Sequence, residues 1–151
     1  MTNTSLANVV LPCMCANLRR ASRAVSQSYD EALRPLGLRN TQFTILQALS
    51  MAGELCQGDL GQLLAMDSTT LTRTLRIMGR QGWIDERRGE DRRARLLRLS
   101  KTGRAQFKRA LSFWEKAQTK LERQLGDRRW NDLLKLSNEV KSLVMETGGL
   151  Q

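Results

Sequence analysis

The stretch from Asp67 to Arg104, DSTTLTRTLRIMGRQGWIDERRGEDRRARLLRLSKTGR, constrains this chain more than any other. Its hydrophobic period changes halfway. Leu71, Leu75 and Met78 recur at helical spacing, Ser68 stands where an N-cap belongs, and Gly82 marks a stop. Beyond Gly82 the pattern shortens to two strand-like runs, residues 83–87 and 94–99, split by the tip Arg88-Gly89-Glu90-Asp91-Arg92-Arg93. Leu97 and Leu99 are expected to face a core and Arg98 solvent. From Ser68 through Arg104, eleven Lys and Arg stand against four Asp and Glu, a net of +7 within a whole-chain net of +10. A positive patch concentrated on one helix and one hairpin suits a phosphate backbone.

The remaining residues limit what this stretch can belong to. With 151 residues, the chain has room for one domain or one compact unit with a helical annex. Aromatics are only 5%, so a core must be built from aliphatic residues and Met. Histidine is absent, which removes Ser-His, Cys-His and His-metal chemistry, and no Gly-rich phosphate fingerprint is present. The chain is therefore not expected to be an enzyme, and no cofactor is expected. No apolar run approaches the ~18 residues of a membrane span. Nor does a basic segment precede the short apolar run at the N-terminus, so the expected location is cytoplasmic and no membrane partner is expected.

In chain order, a first helix is expected over 12–33, with Pro12 in its first turn. Leu11, Cys15, Leu18, Ser22, Val25, Tyr29, Ala32 and Leu36 form its mostly apolar face. Pro35 and Gly37 end it. Thr41 is the expected cap of a second helix bearing Phe43, Ile45, Leu46 and Leu49, stopped by Gly53. A short third helix carries Leu60, Leu63 and Leu64, and the fourth is the one that Ser68 caps. Two short helices joined tightly, the second with a polar outer face, make a helix-turn-helix, and the hairpin after it makes a wing. Ser100 is expected to cap a long helix over 101–125 with Phe107, Leu111, Trp114, Leu121 and Leu125 in its stripe. After Gly126, Asp127 is expected to cap a last helix through about Met145, with Trp130, Leu133, Leu136, Val140, Leu143 and Val144 apolar. The fold class is mainly α with a small β-hairpin wing, in the order α-α-α-α-β-β-α-α. The first helix and the two terminal helices are too long for so small a winged domain to cover, and a second copy of the chain is the simplest partner for their apolar faces.

DRRARLLRLSKTGR resembles the wing signature of the MarR family, D-x-R-x(3)-[LV]-x-L-[ST]-x(2)-G, through Asp91, Arg93, Leu97, Leu99, Ser100 and Gly103. DSTTLTRTLRIMGRQGWI is similar to that family's recognition helix, and the helix order agrees along nearly the whole chain. The resemblance implies an obligate homodimer, with residues 1–36 and 101–151 as a helical dimerisation region and 37–100 as the winged helix-turn-helix. It further implies two lobes on a pseudo-palindromic operator in double-stranded DNA, released by a small ligand or by oxidation of a Cys. The function expected is a sequence-specific transcriptional regulator, a repressor. The alternatives are a general basic or architectural DNA-binder without an inducer and a module for acidic protein partners.

On the recognition helix, Ser68, Thr69, Thr70, Thr72, Arg73 and Arg76 are the candidate DNA contacts. Arg can bond guanine at two points, and Thr can meet a base edge or a thymine methyl. Arg76 suits phosphate. On the wing, the candidates are Arg87, Arg88, Asp91, Arg92 and Arg93. A guanidinium at the tip suits a narrow minor groove, and the resemblance makes Arg93 the wing arginine and Asp91 the group that orients it. A solvated helix face and a merely stiffened tip are the plainer readings.

Cys13, Cys15 and Cys56 are candidate sensing thiols, all near helix N-termini, where a thiolate is stabilised. On a regular helix Cys13 and Cys15 would point about 200° apart and could not bridge, whereas a frayed first turn would allow it. The signal can be an oxidant, an electrophile or a soft ion such as As(III) held by two or three thiolates; no metal site is firmly expected. In the plainer reading, Cys15 is a small core residue and the other two are incidental. The other signal class is a small aromatic acid at the family's pocket, for which Arg19, Arg23, Phe43, Leu46 and Trp114 are candidate lining residues.

Overall fold

A computed structural model describes Leu6 and residues 9–91 and 94–148, the last five of these by backbone alone. The order is α1 (Met14–Leu33), a 3-10 turn (Arg34–Leu36), α2 (Asn40–Ala52), β1 (Glu54–Cys56), α3 (Gln57–Leu64), α4 (Ser68–Arg80), β2 (Ile84–Arg88), β3 (Arg95–Leu99), α5 (Lys101–Leu125) and α6 (Asp127–Gly148). The chain divides into two compact units, one through Trp114 and the other from Glu115, with α5 continuous from the first into the second. The expected fold class is thus found, with one strand more than the sequence pattern indicates. None of the described helices is long and apolar enough to cross a membrane.

In the first unit, the core is mostly aliphatic, in keeping with the low aromatic content, with a cluster of aromatic rings packed into it. Leu33, Phe43, Ile45, Leu46, Leu49, Leu60, Leu71, Met78 and Leu97 are fully buried. The Phe43 ring packs against Phe107 and Trp114, both at 5.5 Å between centroids, and Trp114 stacks on Tyr29 at 6.3 Å. Burial of Tyr29 pushes its hydroxyl above the ordinary phenol range. The apolar stripe of α4 (Leu71, Leu75, Met78) is buried in this core, while Leu63 on α3 stays half in solvent.

Helix starts are where local reading and structure differ. Asp67, not Ser68, caps α4: its Oδ1 accepts from Thr70 N–H at 2.8 Å. Thr41 lies inside α2, which begins at Asn40. Asn40 N–H is satisfied from a distance, donating to Asp30 Oδ1 of α1 at 2.6 Å, while the N–H of Arg39 just before the helix donates locally to Gln42 Oε1 at 3.0 Å. α1 begins at Met14 rather than Pro12, because Asn17 Nδ2 folds back to the carbonyls of Leu11 and Cys13, and Cys13 is extended. Asp127 is the first residue of α6 rather than its cap, preceded by Gly126 at φ +79.

The missing strand is β1. It pairs antiparallel with β3 (Glu54↔Arg98, Leu55↔Leu97, Cys56↔Leu96), so the wing is a three-stranded sheet in the order β1-β3-β2. Three residues are too few to show alternation, so no periodic signal marked them. β2 pairs with β3 from Ile84↔Leu99 to Arg88↔Arg95. Ile84, Leu97 and Leu99 are buried and Arg98 is exposed, as the alternation requires.

The base of the hairpin is closed by Ser100. Its N–H donates to Trp83 O at 3.0 Å and its hydroxyl to Gly82 O at 2.5 Å, and its Oγ accepts from Gly103 N–H at 2.9 Å, capping α5. Gly103 is pressed so closely onto this joint that an added Cβ would lie 1.9 Å from Trp83 O.

Gly103→Ala is therefore expected to lower stability by at least about 3 kcal/mol in thermal or urea unfolding. Gly79→Ala, inside α4 with nothing within 4 Å of the new Cβ, is expected to raise it by about 0.5–1 kcal/mol. Equal effects of the two would show that close packing at Gly103 does not hold the joint together.

Candidate nucleic-acid interface

The polar face of α4 opens on a shallow hollow of about 410 Å³ lined by Ser68, Thr69, Thr72, Arg73 and Arg76. Five of the six recognition-helix candidates therefore come together. Thr70 does not line the hollow: it is half-buried, its N–H bonded to Asp67 and its carbonyl to Thr74 Oγ1 at 2.9 Å. The apolar stripe fixes which face turns outward, and the Asp67 cap fixes where the helix starts. Among the described residues, the lining of the hollow has two guanidiniums and three hydroxyls but no acid, a surface suited to phosphate and to base edges.

Gln57, which the sequence pattern did not single out, joins this face from α3. Its Nε2 donates to Thr72 Oγ1 at 2.8 Å. No local signal marks it, because the partner lies fifteen residues away.

On the wing, Arg87 is tied to Glu54 of β1 at two points, Nε to Oε2 at 2.7 Å and Nη2 to Oε1 at 2.6 Å. The pair spans β3 and joins the two outer strands. The hydrogen bond from Arg87 holds the Glu54 carboxyl below the usual range, and Glu54 in turn raises Arg87. Arg95 faces Glu86 at 3.5 Å and Arg98 faces Asp85 at 3.7 Å. Arg88 is exposed at the end of β2, directly opposite Arg95. The tip is closed by Gly89 N–H to Ala94 O at 2.8 Å and Ala94 N–H to Asp91 O at 2.9 Å. Arg92 and Arg93 lie outside the described residues.

Cys13 and Cys15 are exposed, and Arg19 Nη2 lies 3.7 Å from Cys15 Sγ. In a single chain Cys15 is thus not buried in the core of its own winged domain. Cys56 caps α3, its Sγ accepting from Asp59 N–H at 3.3 Å, in the place where Ser or Thr is usual. Among the described residues, no three of Cys, Asp and Glu are grouped to hold a metal ion. The proposed pocket residues are dispersed in character. Phe43 and Leu46 are fully buried, Trp114 is partly so, and Arg19 and Arg23 are exposed on α1.

Comparison with known proteins bears on the family and the fold. The MarR family model matches residues 38–94. The HTH-type transcriptional regulator YwoH of Bacillus subtilis (strain 168) is 29% identical over 90 residues, which are 60% of this chain and 66% of that protein's length. The M. tuberculosis transcriptional regulator MosR, solved in complex with DNA, is 34% identical, with 87% of this chain and 98% of that one covered and a TM-score of 0.75. A cysteine-to-serine mutant of MarR from E. coli, solved with operator DNA, is 22% identical, with 84% and 92% covered and a TM-score of 0.76, a likeness of fold.

The cap yields a pH prediction. Hydrogen bonds from Thr70 hold the Asp67 carboxyl below its ordinary value. A group depressed in the folded state stabilises fully above its unfolded value and loses that contribution as pH falls through the folded one. Asp67→Ala is therefore expected to lower the melting temperature at neutral pH. The gap from wild type should close as pH drops below the ordinary carboxylate range. A gap that does not change with pH would assign the effect to something other than the ionised cap.

Proposed function

The chain belongs to the MarR family of winged helix-turn-helix transcriptional regulators, and on that premise we propose that two copies pair and bind a pseudo-palindromic operator in double-stranded DNA as a repressor. The observation that carries the reading is the acid-free hollow on α4, with Ser68, Thr69, Thr72, Arg73 and Arg76 turned out together. In this reading the N-terminal half of α4 enters the major groove, where Arg73 can bond guanine and the Thr residues can meet base edges or a thymine methyl. Arg76 meets phosphate, and the hairpin end bearing Arg88, with Asp91, Arg92 and Arg93 in its tip, follows the neighbouring minor groove. The relative solved in complex with DNA supports the assignment at 34% identity.

Pairing is supported by apolar surface left uncovered in a single chain. On α1, Leu18 is 47% exposed and Val25 38%; on α6, Leu133, Leu136 and Leu143 are 47%, 56% and 64% exposed. Residues 1–36 and 101–151 would supply the pairing region and 37–100 the DNA-binding one.

For the signal, the exposed sulfurs favour a thiol-reactive oxidant or electrophile over a small aromatic acid. In a single chain Cys13 and Cys15 are open to solvent, with a guanidinium beside the second. By contrast, Phe43 and Leu46 already fill the core.

Arg73→Ala is expected to weaken operator binding on the order of tenfold or more in fluorescence anisotropy, with an unchanged circular dichroism spectrum. Unchanged affinity would remove α4 from the groove. A Cys13→Ser, Cys15→Ser, Cys56→Ser triple variant is expected to bind the operator yet stay bound when treated with peroxide or an electrophile. Release equal to wild type would transfer the signal to a ligand pocket.

A further inference from the structure

Gln57 opens α3 and is half-buried, while Thr72 is exposed on α4 among the residues of the hollow. The bond between them runs from the Gln57 amide nitrogen to the Thr72 oxygen at 2.8 Å. Its direction matters. A threonine hydroxyl has one proton to donate and two lone pairs to accept with. On the same helix, Thr74 uses its proton on the carbonyl of Thr70, one turn back. Thr72 instead accepts from a neighbouring helix. With an amide N–H seated on one lone pair, the Thr72 proton is turned away from Gln57 and remains free to donate. Gln57 is itself held at both ends of its short segment: Cys56 before it is paired with Leu96 of β3, and the Cys56 sulfur accepts from Asp59 N–H at 3.3 Å.

We propose that Gln57 is a specificity-setting positioning residue. By donating to Thr72, it directs the Thr72 hydroxyl proton into the groove, so that this position of the helix reads a hydrogen-bond acceptor on a base edge. The acceptors on offer in the major groove are N7 and O6 of guanine, N7 of adenine and O4 of thymine. The proposal rests on the reading that α4 lies in that groove. Gln57 acts through Thr72, and its effect is confined to the base pair that Thr72 meets.

The test is a base-preference profile. Affinities are measured by competition anisotropy for an operator carrying every single base-pair substitution in a half-site, with wild type, Thr72→Val, Gln57→Leu, Gln57→Glu and the Gln57→Leu/Thr72→Val double variant. Thr72→Val identifies the base pair concerned. Gln57→Leu is expected to relax discrimination at that same base pair, from on the order of tenfold to about twofold, and the double variant should be no more relaxed than Thr72→Val alone. Gln57→Glu supplies the sharper outcome and keeps the side-chain shape should the Leu variant unfold. A carboxylate can only accept, so it takes the Thr72 proton and leaves lone pairs facing the groove. Preference at that base pair should then move to a base with a donor, adenine through N6 or cytosine through N4. The added charge should weaken the other sequences uniformly.

The proposal is overturned if both Gln57 variants weaken every sequence equally, or if they alter a base pair that Thr72→Val leaves alone. Failure of the underlying reading looks different: wild type itself would show no base preference, and both would fall together.

Discussion

The arrangement depends on the joint made by Ser100. One residue ties the carbonyls of Gly82 and Trp83 to the first turn of α5, and Gly103 lets the helix approach that turn where any side chain would collide. Residues 82 and 83 lie where α4 has just ended and β2 is about to begin. The end of α4, the two ends of the hairpin and the start of α5 are therefore held at one point. The outward face of α4 and the direction of the hairpin follow from it. The three hydrogen bonds would each contribute only about 1 kcal/mol by themselves; their weight comes from fixing four chain segments at once.

The charges are distributed unevenly on this frame. Near the strands, Arg87, Arg95 and Arg98 each have an acid partner in Glu54, Glu86 and Asp85. On α4, Arg73 and Arg76 line a hollow with no acid among the described residues of its lining. The cations of the strands thus partly serve the sheet, with Arg87 joining its two outer strands, while Arg73 and Arg76 of α4 are the ones that the proposed function assigns to DNA. Binding through such groups releases counterions and weakens steeply with salt.

Much of this was legible in the residues. The change from helical to strand spacing at Gly82 located α4 and the hairpin, the leucines gave the buried faces, and the motif through Asp91, Arg93, Leu97, Leu99, Ser100 and Gly103 pointed to the family. What was not legible depends on contacts made across the chain. Asp30 serves the start of α2 ten residues away, so Thr41 looked like the cap. β1 exists because β3 offers a second edge, and three residues carry no period of their own. Gln57 and Glu54 have partners fifteen and thirty-three residues off. Ser68 had the right residue type for a cap, but it is Asp67 one residue earlier whose carboxylate accepts from Thr70 N–H.

The central claim is that α4 and the hairpin act as one DNA-reading surface, presented twice by a pair of chains. Dimethyl sulfate footprinting of the wild-type protein on DNA carrying its operator, which reads guanine N7 in the major groove and adenine N3 in the minor groove, tests this most directly. The account predicts two symmetry-related protected segments whose centres lie about one helical turn apart or a multiple of it. Each should show protection in the major groove with adjoining protection in the minor groove. Uniform protection without boundaries, or a single unsymmetrical segment, would contradict it.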